Sequence, residues 1–331
     1  AYLCIFHLLD ATDLHHENLI AAGAHPRFCD LETLFHPRLD NQGDSTADTP
    51  MNASLPSSVC NIFLLPGKIW HGQSDRGIDI SGLGSSEDNR IEGYILANSN
   101  TDQMQLQKQE QVFKLKGHRP QFQNQEIQAT EHLPEILEGF TKAFHICRKN
   151  KHQLLAADGP ILAFANVETR CVLRPTQLYA RLTETAFHPD YLRDACTQDQ
   201  LYDKLWLETT TRPYLQHLIE HEQSDLRAGD IPLFKNKPSS NTLFSSTGTP
   251  IKAIFQHTAL ERVTAQIQAL NQSNLDTQLW AIQHSFALSD GKTDNTSHQI
   301  PSTHLQYSIQ QEQDQQDALP VSYTHLTLPT K

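Results

Sequence analysis

The chain has 331 residues, with 26 Lys+Arg against 38 Asp+Glu and a formal net charge of −12. That acidic balance argues against a protein whose main task is gripping nucleic acid or an anionic membrane, and no run of eighteen apolar residues offers a transmembrane helix. Apolar residues make up 38% and charged residues only 19%, with thirty glutamines filling the gap, so a core is expected but not a rich one.

The N-terminus, AYLCIFHLLDATD, has neither a charged n-region nor a small-residue cleavage site and does not read as a signal peptide. It also lacks a Met, which suggests a chain shortened at its start. Cysteines stand at 4, 29, 60, 147, 171 and 196, with no CxxC spacing and no tight His pair nearby. Neither a zinc finger nor a disulfide framework is expected, and a reducing cytoplasm is the natural home.

Residues 1–40 are dense in apolar, acidic and His residues, and 41–58 form a polar loop by composition. VCNIFLL (59–65) reads as a short buried strand or a buried helical turn, which periodicity does not separate. Residues 72–90 are Gly/Ser/Asp-rich and loop-like, and 98–130, with nine glutamines and few apolar residues, suggest a long exposed excursion. Leu133, Ile136, Leu137, Phe140, Phe144 and Cys147 recur at helical spacing. Residues 161–174 alternate more like a strand. Helices then dominate: 201–222, interrupted at Arg212-Pro213, and stripes through Leu260, Val263, Ile267 and Leu270 and through Leu275, Leu279, Ile282 and Phe286. These stripes read as core packing. After about residue 290 the apolar pattern collapses, and 291–320 read as a polar Gln-rich linker. VSYTHLTLPT, near the end, back-translates to a sequence resembling a transposase-type sequencing adapter read in frame. Residues 321–331 therefore read as an adapter-derived tail and not as part of the fold.

The chemistry concentrates in 13–35, DLHHENLIAAGAHPRFCDLETLF. Asn18 follows Asp13 by five residues, Asp30 follows Asn18 by twelve, and Glu32 comes two later. The spacing matches the logic of a kinase catalytic loop followed by a metal-binding Asp. One carboxylate orients or deprotonates the attacking hydroxyl, while an Asn and an Asp hold Mg²⁺ against the phosphates. Oxygen ligands of this kind suit Mg²⁺ and not zinc. On spacing alone, a His-rich polar turn before a capped strand explains the same residues equally well.

The stretch ATDLHHENLIAAGAHPRFCDLETLFHP resembles the dehydratase domain of class II lanthipeptide synthetases, the LanM type. Further similar segments follow in order: LLPGKIW, DISGLG (79–84), NSNTDQM (98–104), ETRCVLRPTQLYARL (168–182), FHPDYLRDA, LWLETTTRPYLQHLIEHEQSDLRAGDIPLF and LDTQLWAIQHS. The likeness covers roughly residues 1–290. It implies an α+β, lipid-kinase-like catalytic domain, here its C-lobe portion with added helices and a helix-rich second half. It implies an enzyme that uses ATP and Mg²⁺ to phosphorylate Ser and Thr of a ribosomal precursor peptide, a leader plus a Ser/Thr/Cys-rich core. The same enzyme then eliminates phosphate to leave dehydroalanine or dehydrobutyrine. Zinc belongs only to a cyclase domain expected downstream of residue 331, and the ATP-covering lobe is expected upstream of residue 1, so the stretch by itself is expected to be inactive.

Carried over by position, the resemblance makes Asp13 and His15 part of a catalytic Asp-x-His-x-x-Asn. It assigns Asn18, Asp30 and Glu32 to the cofactor, with Asn18 and Asp30 on Mg²⁺, and it ties Arg170 and Thr176 to elimination. An Arg fork suits the departing phosphate because it pairs two oxygens at once. Arg174, four residues on, can share a face with Arg170 in a regular element; Tyr179 and Arg181 are left to packing or surface. GDIPLF (229–234) reads as a turn into an extended segment, and Gly82 and Gly84 make no phosphate loop, lacking a following GK[ST]. The excursion at 98–130 is one place for the leader peptide to dock. Two other functions use the same residues. A plain kinase-like phosphotransferase needs Asp13, Asn18 and Asp30 but not Arg170 and Thr176. A non-catalytic peptide-binding remnant needs none of them.

Overall fold

A computed structural model of the chain describes residues 1–39, 57–70, 77–84, 90–112, 117–123, 125–251, 254–289, 294–299 and 306–309. Helices and small antiparallel sheets alternate, an α+β arrangement. The largest core lies under the 13–35 segment. It joins the helices Tyr2–Leu8, Leu133–Lys149, Ala259–Gln268 and Gln272–Ser289 through Leu3, Phe6, Phe140, Phe144, Val263, Ile267, Ile282 and Phe286. The apolar stripes of the sequence are these contacts. Pro134 sits in the first turn of the Leu133–Lys149 helix, where a missing N–H costs nothing. Thr258 and Glu261 close a capping box at the start of Ala259–Gln268.

The 59–65 segment is a helical turn: a 3₁₀ turn over Val59–Ile62, then Phe63 in the left-handed region and buried Leu64 and Leu65. The 98–130 stretch begins within a long hairpin, Arg90–Ala97 against Gln105–Val112, with exposed side chains at 105–110, and continues to a short one, Gln121–Phe122 against Gln125–Glu126. Met104 is its anchor, buried, with its carbonyl accepting a bond from His188 Nε2 at 2.8 Å. The strand expected over 161–174 shrinks to Thr169–Arg170, after a 3₁₀ turn at Leu162–Phe164. Inside the stretch read as a linker, Asp294–Gln299 and Gln306–Ile309 pair antiparallel, and 321–331 lie outside the described residues.

Thr169–Arg170 is the edge of a four-stranded antiparallel sheet, followed in order by Lys235–Asn236, Leu243–Phe244 and Pro250–Ile251. The GDIPLF segment feeds the second strand. Gly229 caps the Ile219–Ala228 helix at φ 82°, a conformation that glycine alone adopts without strain, and Phe234 O accepts from Cys171 N at 2.9 Å. Beyond the sheet, Thr176–Ala186, Ala195–Tyr202 and Ile219–Ala228 surround a second core of Leu178, Tyr179, Leu182, Leu201, Leu205 and Leu226. Arg174 is fully buried at their junction. Its Nε donates to Glu222 Oε1 and its Nη1 to Glu208 Oε2, each at 2.8 Å, and its Nη2 donates to Leu205 O at 2.9 Å. Tyr179 Oη adds a 2.7 Å bond to Glu222 Oε1.

His7, on the first helix, is enclosed by this packing, and its carbonyl accepts from Gln266 Nε2 at 2.8 Å. Burial holds its ring neutral down to about 4, against an ordinary 6.5. His36 is likewise held down to about 4, by burial first and Arg38 second. Between these values the unfolded chain binds protons that the folded chain refuses. Stability should therefore be complete above about pH 6.5 and fall as pH drops toward 4, by up to about 3 kcal/mol for each ring. Denaturant titrations from pH 7.5 to 4.5 should show the drop, and His7→Gln should remove about half of it.

Candidate functional site

The 10–18 segment leaves the first helix and folds back by two left-handed residues, Asp10 (φ 49°) and Asp13 (φ 62°). Aspartate tolerates that conformation better than most side chains. The turn is tied on all sides. Leu14 N donates to Ile62 O at 2.9 Å, Thr12 Oγ1 donates to Asn61 O at 3.2 Å, and Thr33 Oγ1 donates to Thr12 O. Beneath it, the buried Asp10 carboxylate pairs with Arg38 and, at 3.1 Å, with Arg262 Nε. Asn18 closes the loop: its Nδ2 donates to Asp13 O at 2.8 Å, while Cys29 N donates to Asn18 O at 3.1 Å. The Asp-x₄-Asn spacing is thus first a backbone clamp. It fixes the Asp13 conformation and keeps the amide oxygen of Asn18 out of that bond.

His15 lies beside Asp13, with Nε2 3.6 Å from Oδ1, and its Nδ1 accepts from Glu17 N at 3.2 Å. The short hairpin Leu19–Ala22/His25–Phe28 then returns the chain to Asp30. Asp30 Oδ1 accepts Glu32 N at 2.9 Å, an Asx turn that presents both carboxylates on one bend. Arg170 reaches this bend across 138 residues. Its N donates to Glu32 O at 3.0 Å, and its Nη1 forms an ion pair with Glu32 Oε1. Two residues on, Val172 N donates to His36 Nε2 at 3.0 Å, so 170–172 runs along 32–36.

Asp13 reports the convergence. Partial burial, aided by Asp30 and Glu32 and opposed by His15 and Arg170, lifts its carboxyl above the ordinary carboxylate range. A carboxylate so placed is a better proton acceptor than a free one. Asp13, His15, Asn18, Asp30, Glu32 and Arg170 are therefore brought together, with oxygen donors and one guanidinium around a partly open surface. Thr176 opens the Thr176–Ala186 helix, and none of the hydrogen bonds or ion pairs that define the cluster among the described residues includes it. Arg174 does not share a face with Arg170, because the strand ends at Arg170 and Arg174 turns into the Glu208–Glu222 network.

A polar backing escaped the sequence reading. His15 and Ser81 pair as a β-bridge, His16 N and Nδ1 approach Ile80 O at 3.0 and 2.9 Å, and the His16 and His118 rings stand 5.8 Å apart edge to face. Asp79, buried, accepts from Ser81 Oγ at 2.6 Å and Ser81 N at 3.0 Å, and burial raises its carboxyl despite those donors. The glycines of SGLG serve this packing. A Cβ on Gly82 would lie 2.6 Å from Leu64 and 3.1 Å from Leu14 O, and one on Gly84 would lie 2.5 Å from the Asp79 carboxylate. The signal available in the sequence was that small-residue run beside a lone Asp.

A family model described as "Domain of unknown function (DUF4135)" matches residues 1–237. The chain is also 28% identical over 261 residues to the lacticin 481/lactococcin biosynthesis protein LcnDR2 of Lactococcus lactis subsp. lactis, across 77% of this chain. It spans only 27% of that relative's length.

Because Gly84 packs on a buried carboxylate, Gly84→Ala should destabilise the chain by about 1–3 kcal/mol through overpacking. Thermal unfolding of the two forms at one pH measures it, and a change below about 0.5 kcal/mol would contradict the close contact.

Proposed function

We infer that the chain, which belongs to the DUF4135 family found in LanM-type lanthipeptide synthetases, is the dehydrating portion of such a synthetase. On this reading it has a lipid-kinase-like catalytic architecture. It phosphorylates Ser and Thr of a ribosomal precursor peptide and then eliminates the phosphate. The observation that carries the reading is the pairing of Arg170 with the Asp13–Asp30–Glu32 cluster across 138 residues. Held by Glu32, Arg170 gives one surface both Asp13 and Asp30, the carboxylates that phosphoryl transfer uses, and the cation that phosphate expulsion uses.

The donor set fits Mg²⁺. Glu32 answers the Arg170 guanidinium, so Asp13 and Asp30 are left with two negative charges, the amount one divalent cation neutralises. No three His, Cys, Asp or Glu converge as a metal cage among the described residues. A Mg²⁺ bound largely through phosphates and water requires only one or two protein carboxylates. Asn18, through its amide oxygen, and Asp30, through the oxygen not engaged by Glu32 N, would hold it. ATP with that ion supplies the phosphoryl group.

Asp13 orients the peptide hydroxyl and takes its proton, with His15 alongside as a neighbouring polar support. In the second step a base removes the α-proton, the C–H electron pair forms the alkene, and the Cβ–O bond breaks toward phosphate. Arg170 accepts the charge that develops there, and Thr176, at a helix start six residues on, is assigned to the same step. Exposure of the 105–110 side chains makes the hairpin a surface for the leader peptide.

The test uses the full-length synthetase, its precursor peptide, ATP and Mg²⁺, read by mass spectrometry. Each modified Ser or Thr should lose one water. Asp13→Asn should slow phosphorylation by about 10²–10⁴-fold, and Arg170→Ala should leave phosphopeptide. Stable phosphopeptide from the unmutated enzyme would replace this reading with a plain kinase. Binding without any mass change would leave only a peptide-binding module.

A further inference from the structure

Glu32 sits where the metal-binding residues of the site are, yet its carboxylate is engaged elsewhere. Oε1 takes the Arg170 guanidinium, and its own carbonyl takes the Arg170 N–H at 3.0 Å, so Glu32 grips one residue by side chain and backbone together. The pair is open to solvent, with side-chain exposures of 38% for Glu32 and 24% for Arg170. Ion pairs so exposed contribute little to stability, about 0–1 kcal/mol. What the contact does is geometric. An unpaired Arg side chain samples many rotamers, and an Arg held by a carboxylate keeps its planar fork in one place. That place is beside Asp13, within reach of its charge.

We propose that Glu32 is the positioning residue for Arg170 in phosphate elimination and is not a ligand of the metal ion; the inference rests on the dehydratase reading above. Before phosphate is present, Glu32 holds the guanidinium against the site. A phosphorylated Ser or Thr then presents more acceptor oxygens and more charge than one carboxylate, and the fork passes to it. The α-proton goes to a base, the C–H pair becomes the alkene, and the Cβ–O pair leaves with the phosphate that Arg170 binds.

The experiment compares Glu32→Gln, Glu32→Asp and Asp30→Asn in the full-length synthetase with precursor peptide, ATP and Mg²⁺. Phosphorylated and dehydrated products are followed separately over time, with a synthetic phosphopeptide supplied in parallel. Glu32→Gln should keep phosphorylation within about threefold of the unmutated rate and slow elimination at least tenfold, on the precursor and on the synthetic phosphopeptide alike. Glu32→Asp, which restores the charge, should recover part of the elimination rate. Asp30→Asn should instead stop phosphorylation. A general structural defect would lower both steps and would not be rescued by Asp. Loss of phosphorylation in Glu32→Gln to the level of Asp30→Asn, or elimination at the unmutated rate, would overturn the proposal. An unmutated enzyme that dehydrates nothing would instead remove the dehydratase reading on which it stands.

Discussion

The contact between 32–36 and 170–172 is what the site depends on. Two backbone N–H groups, those of Arg170 and Val172, dock on Glu32 O and His36 Nε2. Each such bond is worth on the order of 1 kcal/mol, and the ion pair beside them adds little. Yet no other described hydrogen bond or ion pair brings the Arg170 guanidinium to the acidic turn. The main core positions Asp13 and Asp30; the sheet positions Arg170. Because the strand at 169–170 is only two residues long, its register is set by its neighbours and not by its own length. Lys235 pairs with it on one side and Glu32 receives it on the other.

The segment that follows the strand is fixed more firmly. Arg174 is taken wholly out of water and answered by two glutamates, a tyrosine hydroxyl bound to one of them, and a backbone carbonyl. Burying such charges is costly, and the bonds to Arg174 offset part of that cost, while Glu208 Oε1 and Glu222 Oε2 stay buried without a hydrogen-bond partner. Removing one partner would strand the others, so the network specifies one arrangement of the 203–210, Thr176–Ala186 and Ile219–Ala228 helices. Arg170, four residues upstream, stays in reach of solvent. Two arginines of the same short segment are thus placed oppositely: one is buried among its partners, and the other is paired in reach of solvent.

The sequence carried the helices well, because Leu133, Phe140 and Phe144, or Val263 and Ile267, repeat with the period that packing demands. It carried the 13–32 cluster because those residues are close along the chain. It misled at 161–174, where only Thr169–Arg170 is a strand and Ile161 is buried just ahead of a 3₁₀ turn at Leu162–Phe164. The fate of Arg174 was not legible, since Glu208 and Glu222 lie 34 and 48 residues away. Nor was the clamp on Arg170, whose partner is 138 residues distant. Spacing reports residues that share a turn, and long-range partners of a charged side chain leave no periodic trace.

Asn18 shows why a local motif and a long-range contact have to be read together. Its side chain fixes the Asp13 backbone, and that backbone carries a positive φ that costs about 1–2 kcal/mol to hold and that an unclamped aspartate would leave. The direction in which Asp13 points is therefore set within five residues of chain. Its proton affinity is not: burial, Asp30, Glu32, His15 and Arg170 all act on it. Moving Arg170 away would remove one of the two groups that favour the ionised form, and the carboxyl would rise further. The guanidinium thus favours the ionised form of Asp13 from a strand that lies far away along the chain.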